Sequence, residues 1–336
     1  MRVFELREAA GIDSLTLTER AEPRPGPGQV LVRMRAASLN YRDLIVVTGG
    51  YGPSLPLPLV PLSDGAGEVV EVGAGVRRAK PGDRVAGTFF QRWVTGPITE
   101  EAAASALGGA IDGVLAELMV FEEDGLVHVP EHLNWEEAAC LPCAALTAWN
   151  ALFESGCVRP GQILLTQGTG GVSVFALQFA RLAGAAVVAT TSSEAKAERL
   201  RELGASEVIN YRTTPEWSKP ARSFTGGRGV DHVVEVGGAG TLEQSLRAVR
   251  RGGTISLIGR LAAPGEFNPN WIFIKSVRVQ GIYVGSREMF ENMNRAIAAA
   301  GLKPVVDRVF AFEEAREALG YLASGAHFGK VCIRFG

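Results

Sequence analysis

Residues 167–173 read QGTGGVS. The stretch follows an apolar run, Ile163-Leu164-Leu165-Thr166, and leads into VSVFALQFARLAG at 172–184. A strand, then glycines, then a helix is the order that gives such a loop meaning. The first glycine permits a tight turn, the second lets backbone N–H groups approach a pyrophosphate, and the helix N-terminus adds partial positive charge. A loop written G-x-G-x-x-G would carry its last glycine at 173, where this chain has Ser173. That residue adds only a hydroxymethyl group, so the expectation is slightly looser helix–strand packing with the phosphate site kept. Gly171 keeps the second half of the loop small. Gly168, Gly170, Gly171 and Val172 are therefore expected to cradle the phosphates of a dinucleotide.

The surroundings support the loop. Short apolar segments recur as ILLT, AVVATT, EVIN, HVVEV, TISLI and VRVQGI, with helical sequences such as SEAKAERLRELGA (193–205) between the first of them. Strands alternating with helices of this length predict a parallel sheet covered on both faces, and the six segments match the doubly wound dinucleotide-binding fold. Upstream, NWEEAACLPCAALTAWNALFESG (134–156) is helical by pattern, with Asn134 as N-cap.

An acid ending the second strand would bind the ribose 2′-hydroxyl of NAD. Here Thr190-Thr191-Ser192-Ser193 stands in that region, Lys196 follows one turn later, and Tyr211 ends the next strand. Missing negative charge beside a lysine suits a 2′-phosphate, so NADP(H) is expected over NAD(H), held by Ser192, Lys196 and Tyr211. The competing reading leaves Lys196 as a solvated helix residue and gives the ribose to Glu194.

Composition bounds the rest. The 336 residues suffice for two domains and a sizeable core. A formal net charge of −2 argues against nucleic-acid binding through phosphate neutralisation. The N-terminus lacks the apolar core of a signal peptide, and no run approaches the roughly 18 apolar residues of a membrane helix. Cys140, Cys143, Cys157 and Cys332 are too few for a disulfide framework, so a reducing, cytoplasmic protein is expected. Residues 1–127 are rich in strand and turn signals, with one helical candidate at TEEAAASAL. The tail returns to mixed texture with PVVDRVFAF, EEAREALGYLASG and KVCIRF. The expected division is residues 1–127 with 300–336 as one domain, and 128–299 as the dinucleotide-binding domain.

Several motifs together carry a resemblance: LNYRD (39–43), DGAGEVVEVG (64–73), PGDRV (81–85), LTAWNAL (146–152), QGTGGVS, LGA (203–205) and GRGVDHVVEVGG (227–238). Over nearly its full length the chain resembles the medium-chain dehydrogenase/reductase superfamily. The resemblance implies an α/β chain with a GroES-like β-rich catalytic domain closed by the tail, an inserted Rossmann domain, an active site in the cleft between them, and a homodimer joined at sheet edges, with VRVQGIYVG as the candidate edge.

In zinc-dependent alcohol dehydrogenases of this superfamily the catalytic zinc ligands fall at Asn40, Ser63 and Cys143 of this chain, and a neighbouring Glu falls at Asp64. One matching residue does not make a zinc site, and the segment 89–125 has no cysteine for a structural zinc lobe. No zinc is therefore expected. Cys140 and Cys143 form a C-x-x-C, read here as packing and pocket wall ahead of a redox pair. The zinc-free branch implied is similar to quinone oxidoreductases and enoyl or enone reductases. In that branch Asn40 holds the nicotinamide or polarises the substrate, and Tyr51, in GGYG, matches a proton donor. Tyr41 faces substrate or phosphate, Asp43 orients the loop around Asn40, Asp64 is a supporting anchor, Thr147 meets the nicotinamide, and Lys330 lies near the cofactor. Arg42 stands where alcohol chemistry places a Ser or Thr of its proton relay. The leading expectation is an NADPH-dependent reductase of a quinone, enone or enoyl C=C. Two alternatives are an alcohol dehydrogenase with metal recruited through Cys143, Asp64 and water, and a non-catalytic NADPH-binding sensor or structural protein.

Overall fold

A computed structural model describes residues 1–336 apart from 52–54, 260 and 262–264. The chain divides into two compact units, Met1–Leu146 with Gly285–Gly336, and Thr147–Val284.

The first unit opens with a strand pair, β1 (Arg2–Leu6) and β2 (Leu15–Glu19), then β3 (Gln29–Ser38), β4 (Asp64–Val72), β5 (Arg84–Gly87), β6 (Leu118–Glu122) and β7 (Leu126–His128). The second unit holds β8 (Ile163–Gln167), β9 (Ala186–Thr191), β10 (Glu207–Asn210), β11 (Val230–Glu235), β12 (Val249–Leu257) and β13 (Arg278–Gly281). The chain then returns to the first unit with β14 (Val306–Ala311) and β15 (Lys330–Arg334).

In the second unit the order is β10-β9-β8-β11-β12-β13, and every pairing is parallel. The central strands are buried on both faces, which is why ILLT and VVEV read as unbroken apolar runs. The edge strands β10 and β13 are partly exposed. The order reverses direction between β8 and β11, and the carboxyl ends there form the crevice in which such sheets bind ligands. All the expected strands are present.

His232 sits within β11, 2% exposed, with Nε2 2.8 Å from the Ser256 hydroxyl. Burial, aided by Arg278, pushes its pKa down to about 4. An unfolded histidine titrates near 6.5, so the neutral ring stabilises the fold above that pH and the contribution disappears as pH falls toward 4. We predict a loss of about 2–3 kcal/mol between pH 7 and 4.5 from this group. His232→Gln should flatten that dependence in urea midpoints taken at the two pH values; an unchanged slope would refute it.

The main sheet of the first unit runs β14-β15-β3-β4-β5-β7, with β6 also on β3. The tail therefore completes this sheet, as expected. Antiparallel pairing sets Cys332 of β15 opposite Ser38 and pairs Ser38 with Asp64 of β4. The start of β15, the end of β3 and the start of β4 thus meet.

The boundaries differ from those drawn on texture. The helix Trp135–Ala139 packs on β3, β4 and β15. The helix Arg287–Ala300 joins the same unit through Asn294 Nδ2, which donates to His128 O at 2.9 Å. Helical texture reports local conformation, not which core a helix covers. The segment 134–156 is also not one regular helix: it widens to π-helical winding at Leu141–Ala145 and Asn150–Glu154.

Candidate active site

Two clusters bear chemistry, one in each unit. In the first, the strand register puts Lys330 beside the residues that follow β3. Lys330 is 3% exposed; its Nζ donates to Leu39 O at 2.5 Å and Asn40 Oδ1 at 2.6 Å. The Asn40 amide orientation is thereby fixed, with Oδ1 facing the ammonium. Its Nδ2 is buried and has no hydrogen-bond partner among the described residues. The amide lies close enough to Asp64 to favour that carboxylate, yet forms no hydrogen bond of ordinary geometry with it. A buried N–H donor without a partner costs about 1–3 kcal/mol, which a ligand acceptor would recover.

Asn40 precedes the helix Tyr41–Val47, and Asp43 in its first turn accepts from the Asn40 backbone N–H at 2.7 Å. This is the orienting role expected of Asp43. Burial pushes the Asp43 pKa up to about 6, against the pull of Arg42. Burial also raises Asp64, against the attraction of Lys330. Asp64 Oδ1 accepts from the Ser63 hydroxyl at 2.7 Å and Oδ2 from the Cys143 backbone N–H at 3.0 Å, which makes it an anchor. Burial, with Asp64 adding to it, drives the Cys143 thiol well above the ordinary range.

These donors do not fit a zinc ion. The Asn40 oxygen is taken by an ammonium and the Ser63 hydroxyl donates to Asp64, which leaves Cys143 alone of the three positions as a zinc-type ligand. Cys140 does not partner Cys143. Its Sγ lies 3.5 Å from Cys332 Sγ, and both thiols donate to Glu136 O.

Tyr51 sits beside a cation that sequence reading passed over as an active group. The Arg42 guanidinium lies 4.7 Å from the Tyr51 ring centroid and 4.9 Å from that of Phe89, and its Nη2 donates to the Tyr51 hydroxyl at 3.3 Å. Tyr41 is 48% exposed and joins no hydrogen bond of the buried cluster.

In the second unit, Gly168 follows β8 with φ +70° and Gly170 precedes the helix Gly171–Leu182. A Cβ built on either meets no atom within 4 Å, so open space lies over the loop. Val172 lies in the first turn of the helix. Ser173 is buried, and its hydroxyl donates to the Gln167 carbonyl at 2.6 Å. The third-glycine position is therefore tied to the strand, correcting the expectation of looser packing.

A further piece was not read from the sequence. Glu235, ending β11, is fully buried; it accepts from the Gly237 and Gly238 N–H groups at 2.8 and 2.9 Å and from Gln167 Nε2 at 2.7 Å. It ties the loop after β11 to the end of β8 at the switch point. An acid closing an apolar strand, HVVEVGG, is the signal that was available.

At the neighbouring edge, Asn210 pairs with Thr191, so Ser192 and Tyr211 follow side by side. Lys196 stands in the first turns of the helix Glu194–Glu202. Ser192, Lys196 and Tyr211 are thus brought to one edge. The Glu194 carboxylate accepts from Asn210 Nδ2 at 2.7 Å. Thr147 is buried at the start of this unit.

Residues 26–131 match the alcohol dehydrogenase GroES-like domain and residues 171–299 the zinc-binding dehydrogenase model. The chain is 47% identical to a zinc-type alcohol dehydrogenase-like protein, C1773.06c, of Schizosaccharomyces pombe, covering 97% of each chain. It is 30% identical to a quinone oxidoreductase of Sus scrofa, over 89% of this chain and 86% of the relative. A solved NAD-dependent alcohol dehydrogenase superposes with a TM-score of 0.92 at 36% identity, covering 100% of both chains. With its GroES-like sheet, its parallel dinucleotide-type sheet and these relatives, the chain belongs to the medium-chain dehydrogenase/reductase superfamily and is an oxidoreductase.

Proposed function

We propose that this oxidoreductase uses NADPH to reduce an activated C=C bond or a quinone, without catalytic zinc. The observation that carries the reading is the buried, unpartnered Nδ2 of Asn40, held by the Lys330 ammonium. A donor fixed in that way favours an oxygen on which negative charge develops, and it needs no reorganisation to do so. A bound dinucleotide would supply hydride to a substrate carbon. Asn40 polarises the conjugated oxygen, Lys330 keeps the amide turned and balances the buried carboxylates, and the Tyr51 hydroxyl, beside Arg42, is the proton donor. The loop Gly168–Val172 holds the pyrophosphate.

The NADP(H) preference draws on charge. Glu194 is engaged by Asn210, and Ser192, Lys196 and Tyr211 offer hydroxyls and a cation where a 2′-phosphate would lie. The deciding experiment is a titration of metal-analysed protein with NADPH and NADH by nicotinamide fluorescence, followed by a panel of enones, quinones and aldehydes. The expected result is NADPH binding at least tenfold tighter than NADH, weakened about tenfold by Lys196→Ala, with turnover of enones or quinones and no stoichiometric zinc. The alcohol dehydrogenase reading draws on the names of two of the relatives. NADH preference, or one zinc per chain, would put it first.

We also infer a homodimer formed through β13. Among the described residues that strand pairs with β12 alone, and Phe273 and Ile274 beside it are 83% and 52% exposed. An open parallel edge flanked by apolar side chains is a pairing surface. Sedimentation should give twice 35.6 kDa; a monomer at micromolar concentration would overturn it.

A further inference from the structure

The strongest unassigned feature lies in the second unit, at the amino ends of β11 and β12. A cavity of about 750 Å³ there is lined by Arg222, Arg228, Arg247, Arg250, Arg251, Lys275 and the Trp271 indole. Parallel strands place this edge opposite the glycine loop, roughly 15–20 Å away along strands of this length. It is therefore separate from the dinucleotide loop.

The charges do not balance. Asp231 accepts from Arg228 at 2.7 Å and from Arg250 at 2.6 Å, and Glu243 pairs with Arg247 at 2.6 Å. Arg222, Arg251 and Lys275 have no carboxylate partner among the described residues and donate to main-chain carbonyls instead. Arg251 donates to Ile274 O at 2.6 Å. Lys275 donates to Leu246 O at 2.6 Å. Arg222 and Lys275 both reach the Arg247 carbonyl, at 3.4 and 3.2 Å, so two like charges converge on one oxygen. The end of the helix Ala239–Ala248 accounts for Lys275. It does not account for six cations facing one cavity with two carboxylates between them. Burial, with Arg222 and Arg251 adding to it, lowers the Lys275 pKa to about 8.

We propose that this cavity binds a small multiply charged phosphate bearing a planar ring, of the nucleoside-diphosphate class. Arg222 and Arg251 hold the phosphates, for which guanidinium forks are suited; Lys275, whose three N–H groups are given to the Leu246, Arg247 and Val249 carbonyls, adds positive charge beside them, and the ring lies on Trp271. The volume is within the range of small-molecule sites.

The test is calorimetric titration of the full chain, saturated with NADPH, using inorganic pyrophosphate and separately adenosine diphosphate. One site per chain is expected for both probes, weakening with added salt. Arg251→Gln and Arg222→Gln should each weaken it about tenfold while melting like the parent. Adenosine diphosphate should bind more tightly than pyrophosphate, and Trp271→Ala should remove that advantage. At pH 8 binding should draw a proton onto Lys275, seen as an enthalpy that changes with buffer ionisation heat. Absence of binding, displacement by NADPH, or equal affinity in the arginine variants would overturn the site, and equal affinity of the two probes would overturn the ring contact. None of these readouts depends on turnover, so the proposal fails or stands separately from the proposed reaction.

Discussion

Gly168→Val should weaken dinucleotide binding at least a hundredfold and leave the fold standing. Gly168 has φ +70°, a conformation that costs a branched L-residue about 1–2 kcal/mol. That cost alone lowers stability but leaves affinity largely intact. The affinity loss comes from space: a Cβ at 168 meets no atom within 4 Å, so the side chain would project into the volume proposed for the pyrophosphate. Gly170 separates the two effects. Its φ is −74° and its Cβ position is equally open, so Gly170→Val occupies the cradle without the backbone penalty. Both variants should lose the nicotinamide fluorescence response, and only Gly168→Val should melt earlier. If Gly170→Val binds like the parent, the pyrophosphate does not lie over this loop.

The second unit was largely legible because its physics is local. Each strand is an apolar run and each helix carries its own signals, so all the strands of β8–β13 could be marked without knowing what they touch. Ser173 shows the limit. A missing glycine reads as a defect, whereas the hydroxyl bonds the Gln167 carbonyl six residues back, a contact that requires the strand–helix angle. Glu235 offered a signal as an acid closing an apolar strand, but its role needs the same long-range information: its partners come from β8 and from the following loop.

The first unit was read mostly through resemblance. Nothing in LNYRD or FGKV says that residues 40 and 330 touch. The register of β15 on β3 and of β3 on β4 brings Lys330, Asn40 and Asp64 together, and register is a long-range property. The resemblance supplied the positions but not the pairing. It placed Lys330 near the cofactor and did not show that the ammonium donates to Leu39 O and Asn40 Oδ1. Domain edges failed on similar grounds, since composition changes where helices begin and not where cores separate.

The Asn40 substitutions carry the second large expectation. Asn40→Ala should lower kcat about a hundredfold, the scale of removing one fixed donor to a developing oxyanion, with the NADPH dissociation constant within about threefold of the parent. The alanine variant alone is ambiguous, because it also takes an acceptor from Lys330. Asn40→Asp resolves this. Aspartate keeps an oxygen toward the ammonium and discards the Nδ2 donor, so the two roles of the amide are separated by one atom. If the donor carries the chemistry, both variants lose kcat alike. If Asn40 serves only to position Lys330, the aspartate variant retains activity and the oxyanion role is refuted. The aspartate also adds a carboxylate near Asp64, whose pKa burial already raises. Its proton would be held to higher pH, so any residual activity should rise on the acid side. Lys330→Met tests the other half of the pair. It leaves Asp43 and Asp64 buried without their ammonium, which should cost about 3 kcal/mol and frees the amide to rotate. Turnover should fall with stability there, whereas Asn40→Asp, which keeps an oxygen on Lys330, should lose turnover with a smaller change in melting temperature.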